Sequence, residues 1–216
     1  MMQLTRERLC EAVHHLLDLL DTYSTPPTDA VPKDGIYFWY EAGEVSQGHT
    51  QRITRVGTHR EPHRLCRRIT LHYGADRDRS VFRRHVGAAL MNRNGEPESE
   101  IEEWYKARRS AVFSHQRFQQ YEHRVEREIQ RGTYRGLRVD DAAERLALEK
   151  KLIALISRCD HCHPSPAWLG NHAYRVEIRQ SGLWNVRHVL SDNEFEAGDL
   201  ARLERLVSAT LAGSLS

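Results

Sequence analysis

The sequence lacks a long uninterrupted hydrophobic run. The amphipathic stretch from Leu4 to Leu20 is broken by charges, so it offers neither the apolar core of a signal peptide nor the length of a membrane span, and a cytoplasmic chain without membrane attachment is expected. Cysteine is scarce, with four in 216 residues, and disulfides are not expected in a cytosolic chain of this size. Cys159-Asp160-His161-Cys162-His163 opens like a zinc motif, yet no second pair follows at a suitable spacing. Zinc would need His163 or His172 and a further ligand, and the plainer reading is a loop ended by Pro164 and Pro166. No internal repeat, low-complexity tract, nucleotide-binding glycine loop or serine-nucleophile motif is present, which removes the chemistries those features carry. Lysine is missing from residues 52–93, where eleven arginines face only Glu61, Asp76 and Asp78. Such a stretch is a phosphate-seeking face, although arginine richness can equally serve solubility.

What is present is a patterned chain with 39% hydrophobic residues, enough for one elaborated domain over 1–216. Gly35 to Tyr40 is dense in aromatic and β-branched residues, and Gln51 to Val56 alternates polar and apolar, so both read as strands. Ala42 to His49 between them reads as a longer hairpin connection, and Tyr134 to Val139 as a third strand. Pro62 to Tyr73 reads as a helix with Leu65, Cys66, Ile69 and Tyr73 on one side and Arg68 and His72 at the edge of that stripe. Ile101 to Arg131, with Trp104, Val112, Phe113, Phe118, Tyr121 and Val125, is helical without a clean face, and Glu96 to Glu103 is an acidic helix start. Tyr23 to Pro32 reads as a linker, and Phe195 to Leu211 as a helix packed on the core.

The helix capped by Asp140-Asp141 carries the sharpest signal. Its apolar face holds Leu146, Leu148, Leu152, Ile153, Leu155 and Ile156, and Glu149 lies inside that face while Lys150 and Lys151 fall opposite. A carboxylate on a core-facing stripe calls for a metal, a cation or hydrogen bonds; pairing with Arg145 would be the structural alternative.

Gly35-Ile36-Tyr37, Arg55-Val56-Gly57, Leu65-Cys66-Arg67-Arg68-Ile69 with His72, and Leu148-Glu149-Lys150-Lys151-Leu152-Ile153, in that order, resemble the GIY-YIG nuclease superfamily. Gly57-Thr58-His59, the run from Ser80 to Gly87, Trp168-Leu169-Gly170 and the run from Ser181 to Asn185 are similar to a stand-alone bacterial branch, so the resemblance covers about residues 34 to 190. It implies an α+β fold: a small three-stranded antiparallel sheet flanked by helices, with a helical insertion and extra terminal helices. The expected organisation is an N-terminal helix at 1–23, a nuclease core at 34–158 with an insertion at about 74–133, and a C-terminal extension at 159–216. The implied activity is phosphodiester hydrolysis with Mg²⁺ or Mn²⁺. Carried over by position, Tyr37 is the general base, Arg68 braces the phosphate and Glu149 binds the metal.

The departures are informative. Arg55 replaces the tyrosine that opens the second motif; it can contact phosphate but cannot act as a base, so His59 or His72 could take that share. The asparagine expected about a turn after the glutamate has no counterpart nearby, and Asn171 and Asn185 are remote substitutes. Arg55, Arg64, Arg67, Arg83 and Arg84 are the expected nucleic-acid contacts. Trp168 and Trp184 read as packing rather than base-stacking platforms. Three classes stay open on this pattern: a metal-dependent DNA endonuclease, a catalytically inactive nucleic-acid-binding module, and an interaction protein. A homodimer is compatible with a single-site enzyme that cuts two strands.

Overall fold

Aromatic and β-branched character carries the central strand from Gly35 through Val45. In the computed structural model, which describes residues 4–28, 30–74, 78–106 and 116–213, this strand (β2) lies between β3 (Gln51–Gly57) and β4 (Thr133–Arg138), antiparallel to both. A two-residue strand, β1 (Thr22–Tyr23), pairs with β4 and completes the order β1-β4-β2-β3. The pattern predicts three strands. The fourth falls at the margin of the stretch read as a linker, and two residues are too few to leave a periodicity. Pairing of β2 with β3 shifts register between Trp39 and Tyr40 and again before Val45, which lies opposite Gln51, so the hairpin connection is partly strand.

Eight helices flank the sheet among the described residues: α1 (Arg6–Asp18), α2 (Leu65–Tyr73), α3 (Val81–Arg93), α4 (Glu98–Lys106), α5 (Gln116–Arg131), α6 (Ala142–Ser157), α7 (Val176–Ser181) and α8 (Ala197–Gly213). Asp141 caps α6 by accepting from the Glu144 N–H at 2.7 Å. Pro62, read as part of the α2 first turn, lies ahead of the helix. The middle segment read as helical is α4 followed by α5, with Trp104, Phe118, Tyr121, Val125 and Ile129 buried; Val112 and Phe113 lie outside the described residues, as does Asp76. No helix among the described residues is long and apolar enough to cross a membrane.

Successive side chains of a strand point to opposite faces. Ile36, Phe38 and Tyr40 join Leu9, Val13 and Leu17 of α1, Leu148 and Leu152 of α6, and Leu203 of α8. Tyr37 and Trp39 join Leu65 and Ile69 of α2, Phe82 of α3, Trp104 of α4 and Phe118 of α5. Cover on both faces is why β2 reads as a continuous apolar run. Two glycines are required by close approach: a Cβ on Gly35 would lie 2.0 Å from the Leu137 carbonyl oxygen, and one on Gly57 would lie 2.5 Å from the Tyr37 ring.

Candidate active-site cleft

The end of β3, its following loop, the start of α2, one edge of α6 and residues 184–188 enclose a cleft of about 1010 Å³. Six arginines (Arg55, Arg60, Arg64, Arg67, Arg68 and Arg187) and Lys150 line it, against the carboxylates Glu61 and Glu149. α2 and α6 lie on opposite faces of the sheet, and only at this strand end can Arg68 and Glu149 reach one space. Lys150, read as facing away from Glu149, lines the cleft beside it, because the wall is wider than the stripe that packs on the sheet.

Glu149 is half-buried. Burial pushes its carboxyl above the ordinary carboxylate range, opposed by Arg55, Arg68 and a hydrogen bond from the Thr58 N–H. Arg145 is not its partner. That guanidinium is buried, donates to the carbonyls of Val139 (2.9 Å) and Asp140 (3.2 Å), and lies 3.7 Å from Asp34. A half-buried carboxylate whose charge is disfavoured by burial suits a divalent cation, and one carboxylate with room for water and phosphate oxygens matches what Mg²⁺ or Mn²⁺ takes.

Tyr37 is fully buried. Its phenol oxygen accepts from Arg55 Nε at 2.9 Å and pairs with His72 Nε2 at 2.7 Å, while His72 Nδ1 meets Ser80 Oγ at 2.8 Å. Arg55 can only donate, so the phenol's one hydrogen has His72 Nε2 as its acceptor, which places the imidazole proton on Nδ1. Burial, then the charges of Arg55, Arg68 and Arg83, hold His72 well below the ordinary histidine range, so this ring is neutral. Arg55 also donates to the Trp184 carbonyl at 2.5 Å and stacks over Phe82, 5.0 Å from the ring centroid. The arginine at the second motif thus stands between the phenol and the cleft.

The family model described as a GIY-YIG domain matches residues 7–212, nearly the whole chain. The chain belongs to the GIY-YIG nuclease family. No curated protein and no solved structure matches it. Membership implies a nucleic-acid substrate.

The other residues singled out in this GIY-YIG chain divide clearly. Arg64 and Arg67 are exposed on the cleft rim, Arg64 3.4 Å from Glu61. Arg83 is fully buried, donating to Glu122 Oε2 at 2.8 Å and to the His72 carbonyl at 3.0 Å, so it cannot meet a phosphate. Arg84 is half-buried, 3.6 Å from Asp78, and does not line the cleft. His59 lines the cleft, but its Nε2 accepts from the Gly35 N–H at 3.2 Å and its Nδ1 donates to the Glu61 carbonyl at 2.6 Å. Both nitrogens are used, so His59 is a buttress for the motif glycine rather than a ready base.

Asn185 reaches the cleft wall from outside the core: its side chain accepts from the Val56 N–H at 3.1 Å and donates to the Val56 carbonyl at 2.8 Å. Trp168 and Trp184 are buried and donate to Glu41 at 2.7 and 2.6 Å, the packing role their pattern suggests. Asn171 donates to the carbonyls of Ser165 and Pro166 and is absent from the cleft lining. Sequence reasoning missed Arg60, His85, Arg187 and His188 as cleft residues. His188 reaches the cleft from a backbone with a positive φ of 64°, a conformation that no motif announces.

Proposed function

We propose that the protein is a divalent-metal-dependent DNA endonuclease, with Glu149 as metal ligand, Arg68 as the group that braces the phosphate and Tyr37 as general base. The observation that carries this reading is a half-buried carboxylate on a cation-lined cleft, beside Arg55 and Arg68. A cation held by Glu149 would supply Lewis-acid polarisation of the phosphoryl and leaving oxygens. Arg68 offers bidentate donors to the phosphate as its charge grows. Arg55 acts twice. It covers Tyr37 in the resting protein, and a phosphate entering the cleft draws its guanidinium away and opens the phenol to water. After burial, Arg55 is the first charge that holds His72 down, so its departure lets the His72 Nε2 receive the phenol's own proton as Tyr37 takes the proton of the attacking water.

The test is cleavage of supercoiled plasmid and branched DNA with Mg²⁺ or Mn²⁺ by the native protein, Glu149→Gln and Tyr37→Phe. Native nicking that needs metal, and a loss of about a thousandfold in Glu149→Gln, several kcal/mol of barrier, are expected. The folded Glu149 pKa lies above its ordinary value, so the ionised carboxylate costs stability as pH rises from the ordinary value through the folded one. Glu149→Gln should therefore raise Tm at neutral pH while abolishing cleavage, whereas a lowered Tm would mean a structural role. Metal-independent DNA binding with no cleavage by the native protein would replace this reading with that of a binding module, which the covered Tyr37 would then explain.

A further inference from the structure

On the far side of the sheet from Tyr37, two separate pieces of chain bring together four ligand atoms that the cleft does not use. Cys10 and His14, four residues apart, share the buried side of α1. Cys159 and Cys162, both buried, bracket a single 3₁₀ turn directly after α6. Cys10 Sγ lies 3.3 Å from Cys162 Sγ and 3.8 Å from His14 Nδ1, and His14 Nε2 lies 3.9 Å from Cys162 Sγ. The ligand atoms of Cys10, His14 and Cys162 all fall within 4.8 Å of one another, and the Cys159 thiol is close enough to interact with both Cys10 and Cys162.

Bonds of about 2.3 Å to sulfur and about 2.0 Å to nitrogen around a tetrahedral zinc place two sulfurs about 3.8 Å apart and sulfur and nitrogen about 3.5 Å apart. The Cys10–Cys162 sulfur separation of 3.3 Å and the His14 Nε2–Cys162 separation of 3.9 Å each lie within about half an ångström of those values. The surroundings are also those of ligands. His14 Nδ1 donates to the Cys10 carbonyl at 2.9 Å, which fixes the tautomer that presents Nε2. The guanidinium of Arg52, paired with the Glu44 carboxylate at 2.6 Å, also bears on both His14 and Cys162. Nε2 receives a long contact of 3.5 Å from the Ile53 N–H, which ligation would displace at little cost.

We propose that Cys10, His14, Cys159 and Cys162 form a closed Cys₃His site for Zn²⁺ that fastens α1 to the end of the Glu149 helix. Four protein ligands and full burial make the site structural, with no position left for substrate. The second pair that does not follow Cys159-x-x-Cys162 along the chain is supplied by Cys10-x-x-x-His14 on a helix, and His163 and His172, the partners the sequence suggests, are not in the cluster.

The experiment is metal analysis of the full chain purified with reductant and without chelator. One zinc per chain is expected, retained in Glu149→Gln and lost in the double variant Cys159→Ser/Cys162→Ser. Exchange of the native protein with Co²⁺ should give the intense visible absorption of a tetrahedral site and a sulfur-to-metal charge-transfer band. Strong chelation should lower the native Tm and added Zn²⁺ restore it, a measurement that stands even if the double variant fails to fold. A reduced chain that takes up neither Zn²⁺ nor Co²⁺, zinc retained in the double variant, or a Cys10–Cys162 disulfide in the freshly isolated protein would each overturn the proposal.

Discussion

On one face of the sheet Ile36, Phe38 and Tyr40 meet mainly aliphatic side chains of α1, α6 and α8, with polar contacts at the cysteine and histidine cluster and at the buried Arg135 and Arg145. On the other, Tyr37 and Trp39 meet rings and charged groups: Trp39 stacks on Tyr134 with 6.0 Å between centroids, His72 packs against Phe82, and Arg55 and Arg83 are buried among them. The first face is held chiefly by area removed from water, which is non-directional; the second depends more on hydrogen bonds made in one arrangement. The difference explains why the second face can deliver a phenol and a guanidinium to the cleft in fixed positions, and why it should be the more fragile of the two.

The largest break in that comparison is expected at Arg83. Arg83→Met removes the guanidinium from Glu122 and from the His72 carbonyl, and should cost about 3 kcal/mol or more in a denaturant melt. Adding Glu122→Gln should recover part of that loss; an additive double variant would show that the ion pair is not what holds α3 to α5. A smaller effect is expected from Gly57→Ala. Its Cβ would overlap the Tyr37 ring, so about 2 kcal/mol of stability should be lost together with cleavage activity. Unchanged melting and activity would mean that the ring has room to move. The smallest belongs to the aliphatic face: Leu152→Met, a change of shape at nearly constant volume, should cost about 1 kcal/mol and leave cleavage as it is. A cost matching that of Arg83→Met would erase the distinction between the faces.

Much of this arrangement can be read from the residues. The strands β2, β3 and β4 are legible because both flanks of the sheet are covered and turn residues separate the runs. Glu149 is legible because a carboxylate interrupts an apolar stripe, and Arg68 because it follows two strand motifs in order. Arg83 misleads for a physical reason: nine of the thirteen residues of α3 are buried, so little of this helix is solvated for an arginine to default to, and a buried partner, Glu122, sits 39 residues away. The histidines are equally opaque. Which nitrogen is free depends on groups from other elements, the Gly35 N–H for His59 and the Tyr37 phenol for His72, and no spacing rule reports those.

The grip of residues 184–185 on β3 has a consequence for assembly. Trp184 N–H donates to the Thr54 carbonyl at 2.7 Å, and Asn185 occupies both backbone groups of Val56, so the outer border of β3 already has partners from its own chain. The opposite border is β1, two residues long. A sheet finished in this way offers little template for a neighbouring strand, which guards it against edge-to-edge aggregation and directs any pairing of two copies to helical surfaces instead.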